Sequence, residues 1–198
     1  MTLFKRVLPV AFAGFFALPL SAHAALLSIV NVSAPAINCV FQSTCTAVVT
    51  DSVGDFTPPG DTAGSRLQSR TYPGLAPAPA AGDMAYEYRV DMTSAKGITA
   101  DNCVTRLALD FGPVVKLPYK SKLPVSVFVV TGGGLGSVGL ASANQVGAVI
   151  TFTFSSPVCP GATSFFFGLA SKNNTPVASM AKLSYSLGGG ATTAVRVP

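Results

Sequence analysis

The sequence is poor in the side chains on which most enzymes depend. It contains no tryptophan, a single histidine (His23) and a single glutamate (Glu87), and only 11% of its residues are charged. His23 lies in an N-terminal segment with the features of a cleaved leader, so the remaining chain would carry no imidazole. Ser-His-Asp and Cys-His nucleophile systems are thereby excluded, as are zinc, copper and non-haem iron sites with histidine ligands.

The first 24 residues predict a secretory signal peptide. Lys5 and Arg6 provide a positive start, an apolar run follows from 7 to 20, and AHA at 22–24 is a small-x-small cleavage sequence. The run is shorter than the roughly 20 apolar residues that a membrane-spanning helix needs. We therefore expect cleavage at the end of this segment and export to the periplasm or the extracellular space. The mature chain, 25–198, should have no transmembrane segment.

The charge balance does not indicate a nucleic-acid partner. The formal net charge of +5 falls to +3 once Lys5 and Arg6 leave with the leader. Proteins that bind nucleic acids usually cluster Lys and Arg with aromatic side chains, whereas the basic residues here are spread along the chain. GLGSVG at 134–139 matches a dinucleotide-binding motif, but no helical pattern follows it. No cofactor is expected.

The four cysteines predict disulfides. All of them follow the leader, and an even number of cysteines in an exported chain is typical of a disulfide framework. Four cysteines allow three pairings, of which we favour Cys39–Cys45 and Cys103–Cys159. A site with four thiolate ligands to a metal is the rival interpretation, but the sequence lacks CxxC spacing.

The residue pattern predicts an all-β fold. VASMAKLSYSL at 177–187, the best candidate for a helix, also alternates as a strand does. Elsewhere, short runs of Val, Phe, Thr and Tyr are separated by Gly, Pro, Asn and Asp, which is typical of a sandwich or barrel. We predict one mainly antiparallel β-sandwich domain of jelly-roll or Ig-like type. Its strands are expected at 26–33, 36–42, 45–50, 66–72, 84–93, 103–111, 124–131, 145–155, 163–170, 179–187 and 192–197.

The strands differ in how many faces they should bury. The runs at 125–130, 146–154 and 164–170 are almost continuously apolar, so we expect these strands to be buried on both faces. The strands at 84–93 and 103–111 alternate between apolar and polar residues, so each should have one face in water.

The charges on those two alternating strands form the candidate binding face. Glu87, Arg89 and Asp91 share one side of the first strand, and Arg106 and Asp110 share the wet side of the second. If the two strands pair, opposite charges can face each other across the ladder. This face is interpreted mainly as a solvated sheet surface and, secondarily, as a surface for a partner.

A carboxylate-based hydrolase is the chemical alternative for the same residues. A glycosidase needs two carboxyl groups about 5 Å or 6.5–9.5 Å apart. Glu87 and Asp91 are four residues apart on one strand, a separation of roughly 13 Å, so they cannot form that pair. Glu87 and Asp110 could do so if their strands were neighbours.

No metal site is expected, with one weak alternative. Asp51, Asp55 and Asp61 lie close together in DSVGDFTPPGD. Their spacing is not that of an EF-hand loop, but their oxygens could form a loose calcium site.

The segments GSRLQSRTYPG, PAAGDMAYEYRVDMT and CVTRLALDFGPV, within 64–114, resemble a loosely defined group of exported bacterial β-sandwich proteins. The resemblance implies export and a sandwich fold, and it carries over no catalytic residue.

Three functions are therefore predicted in order of preference. The first is a non-enzymatic binding or structural protein of the bacterial envelope or exterior, whose partner is an envelope protein or a surface polymer. The second is a binding protein for an apolar, lipid-like ligand held between the sheets, because SFFFGLA at 164–170 suggests a phenylalanine-rich interior. The third is the carboxylate-based hydrolase.

Overall fold

Most segments in which apolar and polar residues alternate form β-strands. The computed structural model describes residues 24–33, 36–42, 44–45, 49–97, 102–120, 123–132 and 136–198, so nearly all of the expected leader lies outside the described residues. The described part contains one short helix, α1, and twelve strands. Their bounds are β1 Ala25–Leu26, β2 Ile29–Ser33, α1 Ala36–Phe41, β3 Thr50–Phe56, β4 Ser65–Pro73, β5 Met84–Asp91, β6 Val104–Asp110, β7 Val127–Gly132, β8 Leu140–Val146, β9 Val149–Val158, β10 Phe167–Ser171, β11 Val177–Tyr185 and β12 Gly190–Val197.

The strands form two sheets that pack face to face. Sheet I has the order β1-β8-β9-β6-β11-β12, and sheet II has the order β2-β7-β10-β5-β4-β3. Neighbouring strands are antiparallel, except that β2 runs parallel to β7. The predicted mainly antiparallel β-sandwich is therefore confirmed.

The main core lies between the two sheets. Strand β9 illustrates how the sequence builds it, because Ile150, Phe152 and Phe154 are buried while Thr151 and Thr153 are partly exposed on the other side. Aromatic rings fill the centre, with the centroids of Phe152 and Phe167 lying 4.8 Å apart. Burying apolar side chains from both inner faces is what holds such sheets together.

Sheet II, unlike sheet I, is covered on its outer face as well. A second core cluster there includes Phe41 of α1, Tyr72 and Phe128. The Phe41 ring stands edge-on to both of the other rings, with centroids 6.0 and 5.7 Å apart. Leu117 and Tyr119, from the segment after β6, join the same cluster. The outer face of sheet I has no such cover within the described part of the chain.

Both expected disulfides are present. Cys39–Cys45 closes a local loop with a sequence separation of 6, and Cys103–Cys159 spans a separation of 56. The second bond joins the residue before β6 to the residue after β9, two strands that also pair with each other. No cysteine in the described residues is free.

Several expected strands differ from those observed. The predicted strand at 36–42 is mostly helix, whose Val40 and Phe41 are buried against sheet II. The strand β3 was expected at 45–50 but lies at Thr50–Phe56, and β8 was not expected. Both strands consist largely of polar and small residues, which have little intrinsic preference for β structure. Their structure is decided by pairing with a neighbouring strand.

The expectation that three strands are buried on both faces is only partly correct. Residues 125–130 are buried throughout, as are 167–170. Strand β9 buries only alternate residues, because the outer face of sheet I is open. Strand β11 resolves the ambiguity of 177–187 in favour of a strand.

The strands β3 and β12 close one side of the sandwich. Thr193 Oγ1 donates a hydrogen bond to the Asp55 carbonyl at 2.8 Å, and the Arg196 N–H donates to Ser69 Oγ at 3.2 Å. A side chain at Gly54 would meet the backbone carbonyl of Ala194. The close approach of the two sheets therefore requires glycine at this position.

We expect Gly54→Ala to lower the free energy of unfolding by about 1–3 kcal/mol, because the added methyl group overpacks a backbone contact. Urea denaturation of the purified protein measures this effect. Gly64→Ala is the matched control, because a Cβ at Gly64 has no atom within 4 Å. Equal stability of the two variants would contradict the proposed closure.

Candidate functional site

The charged side of β5 is less exposed than the sequence suggests. Glu87, Arg89 and Asp91 do share the outer face of sheet II, as expected. The prediction of a water-exposed face is wrong at Glu87, because its side chain is only 1% exposed. The side chains of Arg89 and Asp91 are 16% and 22% exposed. Tyr72 and, beyond it, Phe41 of α1 cover this end of the strand.

Glu87 is a buried carboxyl group in a hydrogen-bonded environment. The Tyr72 hydroxyl donates to its Oε1 at 2.7 Å. Burial raises the pKa of Glu87 to about 7, although the Tyr72 hydrogen bond and the charge of Arg70 oppose the shift. Burial, together with the neighbouring Glu87 charge, also raises the pKa of Tyr72 well above its usual value.

Arg70 binds more closely to another acid than to Glu87. Its Nε lies 2.8 Å from Asp51 Oδ1, whereas its Nη1 lies 4.0 Å from Glu87 Oε2. Glu87 is therefore a poorly compensated buried acid rather than one half of a tight ion pair.

Two guanidinium groups contact one aromatic ring on this face. Arg70 and Arg89 lie 5.3 and 4.9 Å from the centroid of the Phe166 ring, within the range of cation–π attraction. Arg89 also lies 3.4 Å from Asp91. Burial would raise the pKa of Asp91, but hydrogen bonds from Thr93 and the charge of Arg89 outweigh it and lower that pKa. Arg70, Arg89 and Asp91 thus have partners on this face, although the buried Arg89 Nε has no hydrogen-bond partner among the described residues.

Arg106 and Asp110 do not join this face. Their strand, β6, lies in sheet I between β9 and β11, and β5 lies in sheet II between β10 and β4. The two residues are exposed on the outer face of sheet I. The two charged strands therefore do not pair, so the condition for opposing charges across a ladder is not met. Glu87 and Asp110 lie in different sheets and cannot flank one substrate bond. Alternation along each strand could not reveal which strands are neighbours.

The three aspartates of the calcium alternative do not converge. Asp51 contacts Arg70, Asp55 Oδ1 lies 3.7 Å from Arg66, and Asp61 accepts hydrogen bonds from backbone amides. Among the residues that the structure describes, no group of three or more His, Cys, Asp or Glu side chains could hold a metal ion.

The open outer face of sheet I carries a regular array of mostly polar residues, which sequence reasoning missed. Strand pairing aligns these residues in two rows that cross the sheet. The first row contains Ser142, Thr153, Arg106, Ser184 and Gly190, and the second contains Asn144, Thr151, Ala108, Lys182 and Thr192. We call these ten residues the polar rows. The alternating Ser and Thr residues of β9 and β11 were the available signal.

Two adjoining shallow grooves lie along the polar rows. Their volumes are about 490 and 660 Å³, and Ser184 and Gly189 line both. Arg106 lines the first groove and Lys182 the second. Within the described residues, neither cation has a carboxylate partner within 4.0 Å, so both charges face solvent.

A different pocket, mainly apolar, lies beside the loop that follows β6. Its volume is about 430 Å³, and its lining includes Val114, Val115 and Lys172. The space between the sheets, by contrast, is filled by core side chains.

Comparisons with protein-family models, with curated proteins and with solved structures find no match. None of the helical residues described here forms a helix with the length and apolar character needed to cross a membrane. The choice between functions therefore depends on the site geometry.

Proposed function

We propose that this protein is an exported, non-enzymatic binding protein of the bacterial envelope or exterior. The partner that we favour is an acidic surface polymer, bound on the outer face of sheet I. The observation that carries this proposal is the pair of polar rows, which place Arg106 and Lys182 among hydroxyl and amide groups on an uncovered sheet. Two disulfides agree with export, since such bonds persist in oxidising compartments.

The spacing of the two cations suits an extended anionic chain. Arg106 faces Ser184 across the ladder, and Lys182 is two residues away on the same neighbouring strand. Such diagonal neighbours lie about 7–8 Å apart, so the two side chains can bind separate acidic groups of one polymer. The hydroxyl groups beside them bind water in the free protein, and on binding they can instead form hydrogen bonds to sugar or phosphate oxygens.

The composition of the same face favours a hydrated polymer over a tightly bound protein. The polar rows consist of Ser, Thr, Asn, Ala and Gly around the two cations. The centres of stable protein interfaces are usually enriched in aromatic side chains and Met. A flat surface of small polar groups offers few such anchors.

The experiment compares the wild-type protein with a double variant, Arg106→Ala/Lys182→Ala. On immobilised polygalacturonate we expect the variant to bind about three- to tenfold more weakly, as two exposed charges are lost. The weaker binding should be accompanied by a shallower dependence on salt. Dextran, a neutral polymer, should bind neither protein appreciably.

A charge-matched control separates this surface from general electrostatics. Lys96→Ala/Lys116→Ala removes two exposed cations outside the polar rows and should leave binding nearly unchanged. If both double variants lost affinity equally, net charge rather than this face would be responsible. Equal affinity of the wild-type protein and Arg106→Ala/Lys182→Ala would rule out the proposed face.

An apolar-ligand protein is the second candidate. Its support is the pocket lined by Val114 and Val115, whose position differs from the expected site between the sheets. Extraction of the native protein followed by mass spectrometry distinguishes the two candidates, because recovery of a stoichiometric lipid would favour the pocket. The third candidate, a hydrolase acting through Glu87 and Asp110, has lost its geometric basis, since those residues lie in different sheets.

A further inference from the structure

Three buried side-chain oxygens at one end of the sandwich lack hydrogen-bond partners among the described residues. They are Asp61 Oδ2, Asn102 Oδ1 and Tyr185 OH. Asn102 is 5% exposed and Tyr185 is 4% exposed. Buried polar atoms are nearly always paired with protein, water or an ion, so this group of oxygens calls for a ligand.

Hydrogen bonds bring Asp61 and Asn102 to the same turn. The Asp61 N–H donates to the Pro58 carbonyl at 3.0 Å, which closes a tight turn. Asn102 Nδ2 donates to the Pro59 carbonyl of the same turn at 3.0 Å. The Asn102 side chain is therefore packed against the loop that carries Asp61.

Tyr185 approaches the same loop from sheet I. The Ser186 N–H donates to the Cys103 carbonyl at 2.9 Å, so the end of β11 lies against the residue that follows Asn102. Tyr185 itself pairs with Val104, two residues beyond Asn102. Residues two positions apart from a cross-strand pair are diagonal neighbours, so Tyr185 and Asn102 lie side by side at this end of sheet I.

The oxygens are held in place by their neighbours. Asp61 Oδ1 accepts hydrogen bonds from the Ala63 N–H at 2.9 Å and the Lys96 N–H at 2.8 Å, which orients Oδ2. The bond from Asn102 Nδ2 to the turn orients Asn102 Oδ1 in the same way. Ser65 Oγ, where β4 begins after this loop, is another buried oxygen without a partner among the described residues.

We propose that Asp61 Oδ2, Asn102 Oδ1 and Tyr185 OH form part of a calcium-binding site. Carboxylate, amide and hydroxyl oxygens are hard ligands, and Ca²⁺ accepts six to eight oxygens in flexible geometry, the remainder coming from water or loop carbonyls. Mg²⁺ requires stricter octahedral geometry and gives up its water reluctantly. A single carboxylate implies weak affinity, with a Kd of about 10⁻⁴–10⁻³ M, as in extracellular calcium modules. This inference is independent of the polymer-binding proposal.

Thermal unfolding in CaCl₂, MgCl₂ and EDTA tests the site. At about 10 mM CaCl₂ we expect the Tm of the wild-type protein to rise by about 3–6 °C over the EDTA value, with a smaller shift in MgCl₂. Asp61→Asn should abolish the calcium shift, because it keeps Oδ1 for the backbone amides and replaces Oδ2 by an NH₂ group. Asp55→Asn, at an exposed aspartate outside the site, should keep the full shift.

Two further measurements decide the matter if Asp61→Asn folds poorly. Asn102→Ala should also lose the calcium shift. Tb³⁺, a luminescent substitute for Ca²⁺, should be excited through tyrosine in the wild-type protein, which has no tryptophan, and the signal should fall with Tyr185→Phe. Equal shifts in CaCl₂ and MgCl₂, or a calcium shift that survives Asp61→Asn or Asn102→Ala, would overturn the proposal in favour of a buried water.

Discussion

Replacing Cys103 and Cys159 together by alanine is expected to lower the free energy of unfolding by about 4 kcal/mol. The bond spans a sequence separation of 56, and a closed loop of that length removes much of the conformational entropy of the unfolded chain. The replacement also frees the junction between β6 and β9 in sheet I. Urea denaturation without reducing agent, followed by linear extrapolation, measures the loss.

The other disulfide is the matched control. Cys39–Cys45 has a sequence separation of only 6, so the double alanine variant of this pair should lose about 2 kcal/mol on the same entropy argument. If both double variants lost the same free energy of unfolding, the entropy argument would be contradicted. The Cys39–Cys45 bond would then stabilise the protein mainly by holding α1 against sheet II.

The second large effect is a pH-dependent destabilisation caused by Glu87. Burial raises its pKa from 4.5 to about 7 in the folded protein, so the folded state binds a proton that the unfolded state has already released between these values. The free energy of unfolding should therefore fall as pH rises from about 4.5 through 7. The total change is about 3 kcal/mol for a single group.

Glu87→Gln should remove this dependence. The amide oxygen can still accept the hydrogen bond from the Tyr72 hydroxyl, and the side chain carries no charge at any pH. We expect the variant to be more stable than the wild-type protein at pH 8, by up to about 3 kcal/mol, and similar to it at pH 4. Urea denaturation at several pH values follows the difference.

The control for this effect is Asp55→Asn. Asp55 is exposed, and its 3.7 Å ion pair with Arg66 is open to solvent. The fall in stability with rising pH should persist in this variant, because Glu87 is unchanged. If the wild-type protein and Glu87→Gln were equally stable at pH 8, the Glu87 carboxylate would have to be stabilised in the folded state by more than Tyr72 and Arg70.

Local features of the sequence were sufficient to predict the class of fold. Period-two alternation marked β5, β6 and β11 as strands, and it correctly separated their inward from their outward residues in most positions. The even number of cysteines predicted a disulfide framework, and the favoured pairing was correct. These features depend on neighbouring residues or on simple chemistry, so they can be read along the chain.

The candidate site was harder to predict because it depends on long-range packing. Alternation shows that a strand has two different faces, but it does not show what covers each of them. Glu87 was expected in water because its face is charged, yet it is buried and hydrogen-bonded to Tyr72. The segment 36–42 was expected as a strand, yet Ala36–Phe41 forms a helix. A short apolar run does not distinguish a strand from a buried helical turn.

The sequence by itself determined that this protein is a β-sandwich with two disulfides, and it excluded histidine-based chemistry after the expected leader. Only the tertiary structure decided that β5 and β6 belong to different sheets, that sheet II is covered on both faces, and that Asn102 packs against the turn at Pro59. The physical reason is that strand order and the packing of loops against sheets are set by contacts between residues far apart in the chain. No local pattern of residues encodes those contacts.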